Sequence, residues 1–269
     1  MAPLGATSYS TDADRPPPVA RDDQPTSVRL RRVTEQTSDP LDLLNRPVYG
    51  MRQVDRVLAL HAGTARRWID GYVRGGRTYQ PVVRLQQTGE EIVTWGEFSE
   101  TRLLGEFRDA GVPIINLRPA VERLREALHV AYPLAYAAPL LETSGRELVL
   151  RVQNEVGLAA ALQLVVVRSG QILLTPPAEN YVKSAEFEPE SGGIVSRLRP
   201  IRELDRVWLD PQRQFGEPSV RSVPTAVIAE QYRAGDPIAF IARNYELNEE
   251  DVEQAIRYEL HRANTSEAA

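Results

Sequence analysis

The pair Arg66-Arg67, two residues after Thr64 and directly ahead of Trp68, is where residue types and spacing suggest chemistry first. Guanidinium groups donate bidentately to phosphate oxygens and to guanine edges, so adjacent arginines on an exposed helix face suit gripping or reading DNA. They have company. Residues 46 to 87 carry eight arginines (Arg46, Arg52, Arg56, Arg66, Arg67, Arg74, Arg77, Arg84) against two acids, Asp55 and Asp70, within a chain of net charge −5. Residues 205 to 269 reverse the balance, with twelve acids against seven arginines. The molecule therefore has a basic end and an acidic end, suited to different partners.

Other chemistry is poorly supported. The three histidines, His61, His129 and His261, are scattered without metal-ligand spacing, and there is no cysteine for zinc, disulfide or thiol chemistry. The sequence holds no nucleophile elbow, Walker loop or dinucleotide glycine pattern, and Gly192-Gly193 reads as a loop. The expectation is a non-enzyme with no catalytic residues, no metal and no cofactor. Without an apolar leader or a run of roughly 20 apolar residues, it is expected in the cytoplasm and off the membrane.

The elements that position the arginines read as follows. Val54, Val57 and Leu58 mark one amphipathic helix and Ala65, Trp68, Ile69 and Tyr72 a second, with His61-Ala-Gly63 as a turn between them. This predicts a helix-turn-helix whose exposed side carries Thr64, Arg66 and Arg67. Arg77 to Leu85 and Glu91 to Trp95, around Thr88-Gly89, predict a hairpin behind it, a wing offering Arg74, Arg77, Tyr79 and Arg84 to phosphates. Helices follow through Phe98, Leu103, Leu104 and Phe107, and through Leu117, Val121, Leu124 and Leu128, with Gly111 as a left-handed cap.

Residues 136–204 read as a small, mostly antiparallel β region built from Glu147–Val152, Leu162–Arg168 and Gln171–Thr175, with Ser169-Gly170 as a tight turn. Residues 205–262 carry three helix signals: Val223–Arg233 ended by Gly235, a helix from Asp236-Pro237, and one capped by Asn248. The Pro-rich residues 1–44 and the last residues, 263–269, are expected to be disordered tails; Arg29, Arg31 and Arg32 would allow the former to act as a minor-groove arm, but a dispensable extension is the favoured reading. The predicted fold class is α+β, predominantly α.

Two resemblances sharpen this picture. Thr64-Ala-Arg-Arg-Trp68 and Leu104-Gly-Glu-Phe-Arg-Asp-Ala-Gly-Val-Pro-Ile-Ile-Asn-Leu-Arg118 resemble the MerR-like winged helices, over about residues 47 to 130, without the long dimerisation helix and effector pocket of classical members. Trp208-Leu-Asp-Pro211, Phe215-Gly-Glu-Pro218, Gly235-Asp-Pro-Ile-Ala-Phe-Ile-Ala-Arg-Asn-Tyr245 and Leu247-Asn-Glu-Glu-Asp-Val252 are similar to the 433 family of bacterial domains of unknown function, often found as antitoxins beside PIN-like toxins. The resemblances imply a MerR-like DNA-binding domain over 45–135 and a three-helix, homeodomain-like domain over 205–262.

Taken together they imply a VapB-type antitoxin. It would neutralise a PIN-like RNase toxin and bind double-stranded operator DNA, as a homodimer because one helix-turn-helix reads only a few base pairs. The acidic C-terminal bundle suits a protein partner better than DNA, with Phe240, Tyr245, Tyr258, Glu249, Glu250 and Glu253 as candidate toxin contacts. The alternative is a stand-alone transcriptional regulator with a protein-binding C-terminal domain.

Overall fold

The computed structural model describes residues 40–108, 111 and 113–267. The arm arginines Arg29, Arg31 and Arg32, and the predicted tail before residue 40, lie outside the described residues. The rest of that predicted tail is ordered: Pro40–Leu44 form helix α1, which buries Leu43 and Leu44 in the core. At the other end the last helix runs on to Glu267, into the predicted C-terminal tail.

Strand β1 (Pro47–Gly50) leads into α2 (Met51–Val57), then α3 (Thr64–Ile69), and the hairpin β2 (Tyr72–Arg74) and β3 (Arg77–Tyr79). Strand β4 (Ile92–Thr94) returns to pair antiparallel with β1 and runs into α4 (Trp95–Glu106). Thr94 starts α4 with a capping box: its hydroxyl accepts from the Glu97 amide while the Glu97 carboxylate accepts from the Thr94 amide. α4 is the central helix. Trp95, Phe98, Leu103 and Leu104 are almost wholly buried, and the Trp95 indole N–H donates to the Val195 carbonyl at 2.7 Å. α5 (Arg118–Leu128) packs beside α7 (Thr143–Glu155), with the short α6 (Ala138–Leu141) ahead of it.

The predicted strand Glu147–Val152 is a helix, part of α7. Its buried residues Gly145, Val149, Val152 and Gln153 recur at three- to four-residue spacing, a helical face, while the run itself is β-prone. Gly145 is required there, because a Cβ would fall 1.8 Å from the Ala138 carbonyl oxygen. The other two predicted runs do pair, as the hairpin β5 (Val165–Arg168) and β6 (Gln171–Leu174) around Ser169-Gly170, both with positive φ. Gln153 reaches from α7 to the start of β5, donating to the Val165 carbonyl at 2.6 Å.

α8 (Pro176–Ser184), β7 (Ala185–Glu188) and β8 (Ile194–Leu198) complete a core that is continuous from Leu43 to Leu209. A second core follows. The three-stranded antiparallel sheet of β9 (Val207–Trp208), β10 (Ser219–Val220) and β11 (Val223–Pro224) packs on α9 (Thr225–Ala234), α10 (Ile238–Asn244) and α11 (Glu249–Glu267). Val207, Ile228, Ile241, Val252 and Tyr258 lie at its centre. The three predicted helices are present; the small sheet in front of them was not expected. Gly235 ends α9 at φ 101, and Asn248 caps α11 through reciprocal bonds with Asp251. The whole is mixed α+β, mostly helical, with small antiparallel sheets.

Candidate nucleic-acid interface

α2 and α3 are joined by a turn that sequence counting undervalued. Asp55, tallied only as an acid, is buried and accepts from the Gly63 and Ala65 amides at 2.7 Å each. Burial pushes its carboxyl up from the ordinary value, while those amides and the nearby Arg67 guanidinium pull it down. The carboxylate thus satisfies two donors at the start of α3, and Gly63, at φ 78, supplies the left-handed residue the turn needs.

Thr64 faces inward at 7% exposure, and its hydroxyl accepts from Arg67 at 2.9 Å. It orients Arg67 and has no surface of its own to offer a phosphate. Arg67 is exposed, and the half-exposed Arg66 is ion-paired to Glu91. Arg52 and Arg56 from α2 join Arg66 around a cleft of about 710 Å³, to which α11 contributes Arg262. The acidic C-terminal region therefore packs against α2 and lends a cation to the basic surface.

The hairpin differs from the predicted one. β2 and β3 pair around Gly75-Gly76, both at positive φ as a two-residue turn of this kind requires. Pro81, which has no N–H for a ladder, ends the pairing, and Val82 and Val83 instead donate to the Trp68 carbonyl at the end of α3. Tyr72 and Tyr79 stack with ring centroids 4.6 Å apart, and Arg77 lies over the Tyr79 ring at 5.3 Å. Arg74 and Arg77 sit directly opposite each other in the ladder, both exposed, and among the described residues neither forms an ion pair. Gly71 holds the hairpin close to its base, where a Cβ would meet the Tyr79 carbonyl oxygen at 2.4 Å.

Arg84, assigned from sequence to the wing surface, is 8% exposed and belongs to the interior. Its Nε donates to Glu97 at 2.7 Å, and other guanidinium hydrogens reach Asp70 (3.1 Å), Thr88 (2.6 Å) and the Glu90 and Ile92 carbonyls. Burial pulls Asp70 up, but the amide and hydroxyl of Thr88, the Gly89 amide and Arg84 outweigh it and hold the carboxyl below its usual value. The sequence signal existed: Glu97 was one half of a capping box and Asp70 closed α3, both waiting for a cation. A second buried charge, Glu100, accepts from the Leu134 amide at 3.1 Å and faces Arg125 at 3.4 Å. Burial pushes it up to about 7 against those two partners.

At the acidic end, Phe240 is 45% exposed, Tyr245 is half-buried and accepts from Gln231 at 2.6 Å, and Glu249 is exposed. Glu250 pairs with Arg206, and Glu253 with Arg257. Tyr258, by contrast, is core at 2% exposure and cannot anchor a partner from the surface. Sequence reading missed Phe215, which is 84% exposed with φ 55, a left-handed conformation uncommon for a bulky residue. Tyr49 clamps its turn by donating to the Gly216 carbonyl at 2.5 Å.

Comparison with known proteins adds to this geometry. Residues 207–258 match the domain family described as "Protein of unknown function (DUF433)". Over 220 residues the chain is 36% identical to "Uncharacterized protein Rv2308" of Mycobacterium tuberculosis, covering 80% of this chain and 91% of that one. It is also 27% identical over 225 residues to "Putative antitoxin VapB45" of the same organism, covering 78% and 92% of the two chains. The crystal structure of Rv2018 from M. tuberculosis superposes with a TM-score of 0.64 at 25% identity, over 78% of this chain and 97% of that one.

Proposed function

The chain belongs to the family of the mycobacterial protein Rv2308, and from that premise we propose that it is an antitoxin: its basic region binds operator DNA and its acidic C-terminal helices bind a PIN-like RNase toxin. The observation that carries the DNA half is the hairpin tip. Like charges directly opposite in an antiparallel ladder repel, and among the described residues no acid pairs with Arg74 or Arg77. A phosphate between or beside them would. The order α2, turn, α3, hairpin supports a winged helix-turn-helix reading, in which Arg66 and Arg67 would meet bases and Arg52, Arg56, Arg74 and Arg77 phosphates. Thr64 acts by fixing Arg67, and Tyr79 by supporting Arg77.

The antitoxin half is supported by the name of the 27% identical relative and by the C-terminal domain family. Phe240, Tyr245, Glu249, Glu250 and Glu253, joined by Phe215, form the toxin-facing side. The active form is a homodimer, since two half-sites give useful specificity where one does not. The chain itself performs no catalytic step in this reading, and no helix among the described residues is long and apolar enough to cross a membrane.

Co-expression with the product of the adjacent reading frame tests the proposal. Rescue of growth together with a complex that survives purification supports it. A harmless neighbour and no complex would leave only the DNA-binding half, that is, a stand-alone regulator.

A further inference from the structure

Strand edges are usually guarded by charge, a bulge or a covering segment, because their outward amides and carbonyls invite another strand. The β2–β3 hairpin carries the opposed Arg74 and Arg77, and both β1–β4 and β7–β8 have a shift in register. β8 is also bridged to Tyr136 and Leu209. The β5–β6 hairpin has none of these devices along β6. Its register is unbroken over four residues, and β6, Gln171-Ile-Leu-Leu174, contains no charged residue and no proline.

Which groups face outward follows from the register. Beside a two-residue turn, Arg168 and Gln171 exchange hydrogen bonds, then Val166 and Leu173, and in the same alternation the Thr175 amide donates to the Leu164 carbonyl at 2.9 Å. Val165, Val167, Ile172 and Leu174 therefore turn their amides and carbonyls away from the hairpin. On the β5 side the fold answers this at Val165, where Gln153 donates to the carbonyl at 2.6 Å and accepts from the amide at 3.4 Å. On the β6 side, among the described residues, no partner meets the amide or carbonyl of Ile172 or Leu174. Between these two, Leu173 is 39% exposed and borders an open groove with Val166, Arg168 and Glu179.

We propose that β6 pairs antiparallel with β6 of a second copy of this chain, about a two-fold axis at Leu173, joining two hairpins into one four-stranded sheet. Ile172 of each copy then exchanges hydrogen bonds with Leu174 of the other, and Leu173 meets its own counterpart. The inference rests on the homodimer proposed above and gives it an interface. Self-pairing is favoured by the symmetry of the edge: the two unpartnered residues flank Leu173 equally, as an isologous contact requires. Every residue brought opposite another, Gln171 with Thr175 included, is uncharged, so no like charges meet. Further out the charges are complementary. Antiparallel pairing brings the Arg168 end of one copy towards the Glu179 end of the other; both residues are exposed, and Glu179 also pairs with Lys183.

Sedimentation velocity and thiol oxidation of the full chain, without DNA or another protein, test this interface separately from the antitoxin reading. An edge of this length lies at the small end of specific interfaces, so a dissociation constant of roughly micromolar order is expected. Because the chain has no cysteine, Leu173→Cys places a single thiol on the axis, where a non-hydrogen-bonded pair has Cα atoms about 4.5 Å apart, within disulfide range. It should cross-link into dimers under mild oxidation. Gln171→Cys, four residues along the strand from its own counterpart and so about 13 Å away, should not. Leu173→Glu and Leu173→Lys should each weaken dimerisation at least about tenfold with the melting temperature kept, and an equimolar mixture of the two should dimerise again. A chain still monomeric at roughly 100 μM, a dimer indifferent to Leu173→Glu, or cross-linking at Gln171→Cys as fast as at Leu173→Cys would overturn the assignment. So would a monomer that captures the product of the adjacent reading frame only with Leu173 intact, because the edge would then take a strand from another protein.

Discussion

Arg84 and the Arg74–Arg77 pair lie close together in sequence and in one basic stretch, yet they occupy opposite electrostatic worlds. Arg84 gives its guanidinium to two carboxylates, a hydroxyl and two carbonyls in the interior, and ties the end of α3 to the start of α4. Arg74 and Arg77 stand opposed at an exposed tip, with no ion pair among the described residues. Counting charges treats all three alike. What separates an arginine spent in the interior from one left open at the surface is the supply of acceptors within the fold, and here that supply is concentrated at Asp70 and Glu97.

The sharpest way to break this comparison is Arg84→Ala. It leaves Asp70 and Glu97 buried without their cation, so a stability loss of about 3–5 kcal/mol is expected by urea denaturation, against less than about 0.5 kcal/mol for Arg74→Ala or Arg77→Ala. Equal losses at the two places would erase the distinction. Glu100 sharpens it from the acidic side. Its folded-state value is raised to about 7 from 4.5, so the folded chain holds that proton more tightly; the stability it contributes is full below pH 4.5 and lost as pH rises through 7. Glu100→Gln should flatten this decline between pH 4.5 and 7, and an unchanged decline would contradict the burial of a protonated Glu100.

The same contrast separates Tyr258 from Phe240 and Phe215. Phe240→Ala and Phe215→Ala remove exposed side chains and should weaken toxin binding about thirtyfold, as for an interface hot spot of ~2 kcal/mol. The melting temperature should stay close to that of the wild type. Loss of folding instead of binding would return both to the core. The smallest expected effect is at Glu91, which pairs with Arg66. Glu91→Gln frees that guanidinium and should raise operator affinity by about threefold, in line with a surface ion pair, as read by fluorescence anisotropy.

The parts of the fold with strong helical periodicity and clear punctuation were legible in the sequence: α2, α3, α4, α5 and the three C-terminal helices. α7 was not, because Leu148, Val149, Leu150 and Val152 form a β-prone run whose helical face shows only when Gly145 and Gln153 are counted with it. The hairpin lies ahead of the one expected over Arg77 to Trp95, because it turns on Gly75-Gly76 and stops at Pro81, which has no N–H to donate to a ladder. Of the candidate site, residue type and spacing agree with the surface positions of Arg66, Arg67, Arg74 and Arg77. Arg84, Thr64 and Tyr258 could not be placed this way, since their burial depends on acceptors and neighbours distant in sequence: Glu97 for Arg84, the Asp55-held turn for Thr64, and the second core for Tyr258.

The most direct test of the account is the salt dependence of operator binding by the wild type and by an Arg74→Ala/Arg77→Ala chain of matched stability. Each phosphate contact contributes about 0.9 to the slope of log K against log salt. The account predicts a slope shallower by nearly two in the double variant, together with weaker binding at every salt concentration. An unchanged slope would mean that the hairpin tip touches no phosphate, and would contradict the DNA-binding role assigned to it.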